Sequence, residues 1–246
     1  MSLLEIHKLS IGYGGKALSS DISVSLKKGQ LVGLIGQNGV GKSTLIRTFC
    51  GLQKPIAGEI LLNGKSIDSY SRKELSKKIS IVLTGKPELM NLSVIELIAL
   101  GRYPYSGWLG TLNETDKLKI EEAISKMRIN YIATKKLFEL SDGQLQKVMI
   151  GRALAQDTEI IMLDEPTSHL DLRNKLEVLN LLKEISKSGK TVLISTHEVE
   201  YATNVCDLFW CMDFGSEFLV GDPKKLVQQG KVQEYLHVNK EVMTKK

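Results

Sequence analysis

The sequence has few cysteines, and none stands where a disulfide framework or a zinc site needs it. Three occur in 246 residues, at Cys50, Cys206 and Cys211, and the last two lack the second ligand pair that a zinc site requires. Each cysteine is therefore predicted to pack as a small hydrophobic side chain in a reducing compartment.

Long apolar runs are also missing. No run approaches the ~18 residues that a membrane-spanning helix needs. The residues that follow Met1 do not combine a basic segment with an apolar one, as a signal peptide does. We therefore expect a cytoplasmic chain, which reaches a membrane only through a partner.

Clustered positive charge is absent as well. The net charge is +5 and the lysines are scattered, so nothing in the sequence indicates nucleic acid as a partner. The sequence has no internal repeats and no low-complexity segments. Its hydrophobic content of 42% and charged content of 25% are ordinary for a globular protein, and its length suits one large domain or two small ones.

What the sequence does contain is one glycine-rich motif of high specificity. It reads GQNGVGKST, follows the apolar run 31–35 and precedes a segment that can form a helix. Strand, glycine loop and helix form the context that a phosphate-binding loop requires. The residues expected to surround a triphosphate are Gly36, Gln37, Asn38, Gly39, Val40, Gly41, Lys42, Ser43 and Thr44.

Each residue type in this loop has a physical role. The glycines let successive backbone N–H groups point at one anion, and the positive end of the following helix faces the same place. Lys42 can reach the β- and γ-phosphates, and the Ser43 hydroxyl can hold Mg²⁺. The motif therefore predicts binding of a nucleoside triphosphate and Mg²⁺.

Two carboxylates follow a second apolar strand. Asp164 and Glu165 come directly after Ile160–Leu163, so both acids are expected at the carboxyl end of a strand, where ligands bind in open α/β sheets. Asp164 is suited to bind Mg²⁺, directly or through a water molecule. Glu165 is suited to polarise the attacking water. In isolation, the same pair would more often be two solvated acids that end a strand.

The rest of the first segment has the pattern of strands, and a helical pattern follows. Residues 4–13 look extended, residues 22–26 alternate as in a half-buried strand, and Asn63-Gly64 favours a tight turn. Further on, Ser93 and Glu96 fit a capping box. That helix is predicted to stop at Gly101, and a loop is predicted over 103–111. An amphipathic helix should follow, with Ile120, Ala123, Ile124 and Met127 on one face. A further helix is marked by Leu172, Leu176, Leu179 and Leu182.

The simplest architecture is one α/β domain with a helical insertion. The predicted core comprises residues 1–86 and 154–238, and the insertion comprises residues 87–153. A last helix is expected to begin at Asp222-Pro223, and residues 239–246 are predicted to form a frayed tail.

A third motif carries a resemblance to a known family. Residues 140–144 read LSDGQ ahead of a helix that we predict over 146–155, and this motif resembles the LSGGQ signature of ABC-transporter ATPases. Ser141 and Gln144 also fit a capping box. Since a capped helix N-terminus is also an anion receptor, the two interpretations agree. The resemblance implies a P-loop NTPase of the α/β class, with a RecA-like parallel core, an N-terminal antiparallel β piece and a helical ABC subdomain.

The resemblance also implies roles for individual residues. Ser141, Gly143 and Gln144 look like the receptor for the γ-phosphate of ATP held by a second subunit, so that the site is complete only in a dimer. Tyr13 resembles the aromatic residue on which adenine stacks. His197 is similar to the switch histidine that contacts the γ-phosphate. Residues 168–171 resemble the D-loop, whereas His7 and His237 have no such context and are expected to be structural.

The sequence departs from the family pattern at two positions. Asp142 replaces the first glycine of the signature, where an acid should repel a γ-phosphate unless its side chain turns away. Thr84 stands where the family has the Q-loop glutamine, and a threonine hydroxyl reaches less far. The Thr84 hydroxyl acting through a water, or Lys86 or Glu88 on the same loop, can replace the glutamine. Alternatively, Thr84 makes the site slow.

A segment of the predicted insertion resembles one group within the family. Residues 94–104, with Trp108 downstream, resemble the helical domain of ATPases that serve iron–siderophore, haem and cobalamin importers. That implies an ATP-hydrolysing homodimer docked on two permease subunits at the cytoplasmic face of the inner membrane, with a substrate-binding protein as an indirect partner. The alternatives are a soluble ABC ATPase that acts as an assembly or scaffold factor, and a degenerate nucleotide-binding subunit.

Overall fold

The computed structural model describes residues 2–85, 90–107, 110–214 and 217–237. Across these residues, the strands are β1 (Ser2–Tyr13), β2 (Lys16–Lys27), β3 (Leu31–Ile35), β4 (Ala57–Leu62), β5 (Lys65–Ser66), β6 (Ile79–Val82), β7 (Ile160–Leu163), β8 (Thr191–Thr196), β9 (Leu208–Cys211) and β10 (Leu219–Gly221). The α-helices are α1 (Lys42–Phe49), α2 (Arg72–Ser76), α3 (Val94–Ala99), α4 (Glu114–Lys126), α5 (Asp142–Ala155), α6 (Leu172–Lys187), α7 (Val199–Val205), α8 (Pro223–Gln228) and α9 (Lys231–Tyr235).

The larger sheet positions the predicted site. Its strand order is β10-β9-β3-β8-β7-β6. The neighbours from β9 to β6 pair in parallel, and β10 pairs antiparallel with β9. Because parallel strands have their carboxyl ends at the same edge of the sheet, the segments that follow β3, β6, β7 and β8 meet at one edge.

Both faces of this sheet are covered. In β7, Ile161 and Leu163 pack with the helices of one hydrophobic cluster, whereas Ile160 and Met162 pack into a second cluster on the opposite face. All four residues are buried, as predicted for a continuous apolar strand. Since each buried side chain of this size contributes about 1.5–3 kcal/mol, the sheet is a rigid support for the residues at its edge.

The smaller sheet is the expected antiparallel piece. Its order is β2-β1-β4-β5, and β1 is antiparallel to both of its neighbours. The predicted alternation in β2 is confirmed, because Ile22 and Leu26 are buried and Ser23 is exposed. Asn63 and Gly64 both have positive φ, at 52° and 75°, as a tight turn between β4 and β5 requires.

The start of α3 matches the sequence prediction, but its end does not. The capping box of Ser93 and Glu96 is present. The helix ends at Ala99, and Gly101 lies inside a following 3-10 turn, Leu100–Tyr105, so the prediction of a stop at Gly101 is wrong. The predicted loop 103–111 is wrong over 103–105 and confirmed over 106–107 and 110–111. A Cβ at Gly101 would lie 2.3 Å from the Arg152 carbonyl oxygen. Close packing against α5, rather than helix termination, therefore explains this glycine.

The helix of the signature motif begins earlier than predicted. It starts at Asp142 instead of residue 146, because the capping box of Ser141 and Gln144 already forms its first turn. The predicted amphipathic helix is confirmed in α4, where Ile120, Ala123 and Ile124 are buried. The predicted helices of α6 and α8 are also present, and Asp222 caps α8 with Pro223 in its first turn. The prediction that this helix is the last one is wrong, because α9 follows it after a turn at Gly230.

The cysteines and the chain ends complete the description of the fold. Burial raises the pKa of Cys50, Cys206 and Cys211 to about 12, so each remains a thiol at neutral pH, in agreement with the prediction of packed hydrophobic side chains. Among the described helices, none is long and apolar enough to cross a membrane. Trp108 and the predicted tail 239–246 lie outside the described residues. The division into core and insertion remains our proposal.

Candidate nucleotide-binding site

The glycine loop joins β3 to α1 at the carboxyl edge of the larger sheet. Gly39 and Gly41 have φ values of 84° and 112°, in a region that favours glycine. A Cβ on Gly36 would lie 2.6 Å from the Met212 carbonyl oxygen, whereas one on Gly39 would meet no atom within 4 Å. Val40 is fully buried beneath the loop. The loop therefore rests on the core on one side and exposes backbone on the other, at the positive end of α1.

Lys42 is buried, and its ammonium group points back over the loop. Nζ lies 2.8 Å from the Gly36 carbonyl oxygen, 3.0 Å from that of Gln37 and 3.5 Å from Oε1 of Glu165. Burial lowers the pKa of Lys42, and the nearby carboxylates of Glu165 and Asp164 oppose that shift only in part. A buried cation beside exposed N–H groups at a helix N-terminus fits a bound triphosphate.

The Asp164–Glu165 pair lies at the end of β7 and is fixed by Ser195 of β8. The Ser195 hydroxyl donates to Oδ1 of Asp164 at 2.7 Å and accepts the backbone N–H of Glu165 at 2.8 Å. Glu165 has a φ of 48°, which is uncommon for a non-glycine residue. Sequence reasoning missed Ser195, although a serine near the end of an otherwise apolar strand was an available signal.

His197 joins the same cluster from the segment after β8. Its Nδ1 lies 3.7 Å from Oε1 of Glu165, and its side chain is half-exposed. The next residue, Glu198, accepts a hydrogen bond from the Thr167 hydroxyl at 2.7 Å and forms an ion pair with Lys175 of α6. The fold therefore brings together three of the predicted residues, from three separate segments. Glu198 was not predicted, and it fixes the segment that carries His197.

Tyr13 lies at the end of β1, beside the first turn of α1. Its hydroxyl is 3.1 Å from Oγ1 of Thr44, and 55% of the residue remains exposed. That arrangement anchors the ring at one end and leaves ring surface accessible, as stacking on a base would need. Ser43 is half-buried in the same turn of α1.

The chain beyond α9 also contacts the glycine loop. The Gln37 side-chain amide donates to the Leu236 carbonyl oxygen at 2.7 Å. Nearby, Nε2 of His237 lies 2.9 Å from Oδ1 of Asp213. The Gln37 side chain therefore links the glycine loop to the segment after α9. Asn38 and Gly39, in contrast, are exposed.

The signature residues Ser141, Gly143 and Gln144 contact one another, Asn174 of α6 and Tyr131. Ser141 caps α5, and a Cβ on Gly143 would lie 2.5 Å from the Asn174 side chain of α6. The Arg152 guanidinium donates to the Ile81 carbonyl oxygen at 3.0 Å, which anchors α5 to β6. The C-terminal part of α5 therefore lies beside β6, which is three strands from β3 in the sheet, about 14 Å at the usual strand spacing. At the N-terminal end of the helix, the Gln144 side-chain amide donates to the Tyr131 hydroxyl at 3.3 Å.

Thr84 and Asp142 both line a cleft of about 400 Å³ between β6, β7 and α5. The Thr84 hydroxyl donates to the Asp164 carbonyl oxygen at 3.0 Å. Lys86 and Glu88, the other predicted substitutes for the Q-loop glutamine, lie outside the described residues.

A glycine loop between a buried strand and a helix, with a buried lysine facing an acid pair at the end of another strand of the same parallel sheet, defines a P-loop nucleoside triphosphatase. Residues 19–168 match the family model described as ABC transporter. The chain belongs to that family and is an ABC-type ATPase, as the sequence resemblance predicted.

Individual relatives agree with this assignment. The chain is 36% identical over 233 residues to the petrobactin import ATP-binding protein YclP of Bacillus subtilis (strain 168), with 94% of this chain and 92% of that protein covered. It is 34% identical over 245 residues to the iron(3+)-hydroxamate import ATP-binding protein FhuC of the same organism, with 99% and 91% covered. The structure of a nucleotide-free ATP-binding cassette from an ABC transporter superimposes with a TM-score of 0.85 at 25% identity, over 96% of this chain and 98% of that one.

Proposed function

We propose that this ATPase is the nucleotide-binding subunit of an importer for an iron complex, a siderophore or haem, or for cobalamin. The observation that carries the proposal is similarity along nearly the whole chain to two ATP-binding proteins of iron-chelate import. In this proposal a homodimer docks on two integral-membrane permease subunits at the cytoplasmic face of the inner membrane. A substrate-binding protein delivers the cargo on the other side, and no nucleic acid takes part.

The geometry supports a role in this proposal for each residue of the site. Lys42 and the N–H groups of the glycine loop hold the phosphates of ATP, and the exposed ring of Tyr13 stacks on adenine. Ser43 and Asp164 would hold Mg²⁺, which neutralises charge on the phosphates and orients them. Glu165 accepts a proton from the water that attacks the γ-phosphorus, while the bond to the ADP oxygen breaks. His197 contacts the γ-phosphate.

The dimer is proposed because the signature residues contact α6 and Tyr131 of their own chain, and a second phosphate receptor at a capped helix end needs a phosphate that another copy can supply. Ser141, Gly143 and Gln144 lie at the N-terminus of α5, and the Arg152 end of that helix is anchored to β6. A second copy, related by a two-fold axis, would place this helix end over the first copy's γ-phosphate. Leu172 and Leu176, at 55% and 42% exposure on α6, follow the D-loop and offer apolar surface beside that contact.

Mixing two inactive variants tests the composite site. Lys42→Ala removes the lysine, and Ser141→Asp keeps a good helix cap while placing a carboxylate near the partner's phosphate. Heterodimers of the two variants contain one site with both defects and one with neither. An equal mixture is therefore expected to recover about a quarter of wild-type ATPase activity if the sites act independently.

Ser141→Asn is the matched control, because it keeps the cap without a charge and should lower activity less than Ser141→Asp does. Failure of the mixture to recover activity, with heterodimers demonstrated by differently tagged copies, would contradict the composite site.

The importer assignment is tested by co-purification. The tagged chain, expressed from its own chromosomal locus, is expected to bring down an integral-membrane permease in mild detergent, with ATPase activity that rises when the permease is present. If the tagged chain instead co-purifies with a stable soluble complex and with no membrane protein, the result would favour the assembly or scaffold factor.

A further inference from the structure

The Thr84 hydroxyl extends the pairing of β6 and β7 beyond its last backbone pair. Val82 and Leu163 are the last paired residues of the two strands, and the Asp164 N–H still donates to the Val82 carbonyl oxygen at 2.8 Å. One step further, the Thr84 hydroxyl donates to the Asp164 carbonyl oxygen at 3.0 Å. A side chain therefore contacts the backbone where the two acids begin.

The peptide group between Asp164 and Glu165 is held from both sides. Its carbonyl oxygen accepts from Thr84 of the segment after β6, and its N–H donates to the Ser195 hydroxyl of β8 at 2.8 Å. Because both polar atoms of one peptide group are bound by the two neighbouring segments, its orientation is fixed.

This orientation matters because Glu165 is in an unusual backbone conformation. Its φ of 48° lies in the left-handed region, which costs a non-glycine residue about 1–3 kcal/mol. A rotation of the preceding peptide group would relieve this conformation and move the side chain. In the observed conformation, Oε1 of Glu165 lies 3.5 Å from Nζ of Lys42 and 3.7 Å from Nδ1 of His197.

We propose that Thr84 is a positioning residue for Glu165, acting through the Asp164 carbonyl oxygen rather than as a ligand of Mg²⁺. The proposal rests on the proposed role of Glu165 as the proton acceptor. A glutamine at residue 84 cannot make the same short contact, since its amide lies farther from the backbone and would extend into the adjacent cleft. The short side chain is therefore matched to a backbone partner.

Three substitutions at one position test the idea. Thr84→Val keeps the shape and removes the hydroxyl. It should lower kcat by roughly 10- to 100-fold, the loss expected when a reacting group is misplaced by about 1 Å. The KM for ATP and the half-saturating Mg²⁺ concentration should stay within about twofold of wild type, because no substrate or metal contact is lost. Thr84→Ser keeps the hydroxyl and should restore most of kcat, whereas Thr84→Gln should be as slow as Thr84→Val.

A matched control removes a similar hydroxyl at the opposite end of the β6–β7 pair, just before β7. The Thr158 hydroxyl lies 2.8 Å from the Ile160 carbonyl oxygen and 2.9 Å from Oγ of Ser80, and Thr158 is buried. Thr158→Val should lower the melting temperature without lowering kcat. A comparable loss of kcat in this control would mean that the Thr84→Val effect is one of general stability, and it would overturn the proposal.

The route through Glu165 is tested in a second background, with single-turnover rates. In Glu165→Gln protein, the additional Thr84→Val change should lower the single-turnover rate of hydrolysis by less than about twofold, because the group that Thr84 positions is already inactive. An additional loss as large as in wild type would overturn the positioning route and leave the role of Glu165 intact. Near-normal hydrolysis by Glu165→Gln alone would instead contradict the proposed function.

Two further outcomes would overturn the proposal. A Thr84→Val enzyme whose kcat recovers at high Mg²⁺ would show that the hydroxyl serves the metal ion. A Thr84→Gln enzyme that hydrolyses ATP at least tenfold faster than wild type, with the permease present, would show that the threonine makes the site slow.

Discussion

Lys42→Ala is expected to lower ATP hydrolysis by at least about 10³-fold, which is the upper end of the loss measured when one charge-stabilising donor is removed. Lys42 combines a full positive charge with burial, and its Nζ lies within 3.5 Å of Glu165. No small side chain can place a charge at that point. Radiometric ATPase assays and nucleotide titration check the result.

The same variant is expected to fold normally without nucleotide. Burial lowers the pKa of Lys42, which means that the fold disfavours the charged form relative to the unfolded chain. The charge on Lys42 therefore does not itself stabilise the fold at neutral pH, and any fall in melting temperature should come from the lost contacts with the Gly36 and Gln37 carbonyl oxygens and with Glu165.

A second buried lysine supplies the control for Lys42→Ala. Lys147 of α5 is also buried and lies 3.0 Å from Glu177, but it is outside the glycine loop. Lys147→Ala should lower stability, because it leaves Glu177 without its ion-pair partner, and should retain ATP affinity. Unchanged ATP affinity and turnover in Lys42→Ala would remove Lys42 from the site.

Glu165→Gln is expected to lower kcat by about 10²–10⁴-fold, the usual contribution of a general base. The amide keeps the size of the carboxylate and its hydrogen-bonding capacity, but it cannot accept the proton of the attacking water. ATP should still bind. The proposed dimer should therefore accumulate with ATP trapped between its subunits, and size-exclusion chromatography with and without ATP detects it.

Glu159→Gln is the matched control, because Glu159 lies just before β7, at the end of the strand opposite Glu165, and pairs with Lys78 at 3.4 Å. Glu159→Gln should leave both the rate of ATP hydrolysis and the elution volume in size-exclusion chromatography unchanged. Near-normal turnover by Glu165→Gln, without an ATP-dependent dimer, would exclude Glu165 as the base.

Several parts of this protein could be predicted from short stretches of sequence. The glycine loop is one, because strand, loop and helix are adjacent in the chain and their physical roles depend on residue type. The burial of β7 is another, since four consecutive apolar residues have only the core to occupy. The capping boxes at Ser93 and Ser141 also follow from two residues three positions apart.

Local patterns were misleading where a distant segment decided the structure. A glycine after an apolar helical pattern, such as Gly101, usually marks the end of a helix. Here the position needs glycine for another reason, because the Arg152 backbone of α5 packs against it. The same limit applies to Arg102, whose buried ion pair with Asp116 at 2.9 Å fixes the 3-10 turn in the segment predicted to be a loop. Neither partner can be identified from the neighbouring sequence.

The sequence by itself determined that the chain is an ATP-binding protein of the P-loop type, and it predicted which lysine and carboxylates form the site, because these properties follow from motifs of adjacent residues. Only the tertiary structure decided how the acids are held. Thr84, Asp164 and Ser195 lie far apart in the chain, and they meet because β6, β7 and β8 are neighbours in the sheet. Strand order is a property of the whole folded chain, so contacts between neighbouring strands cannot be deduced from any one of them.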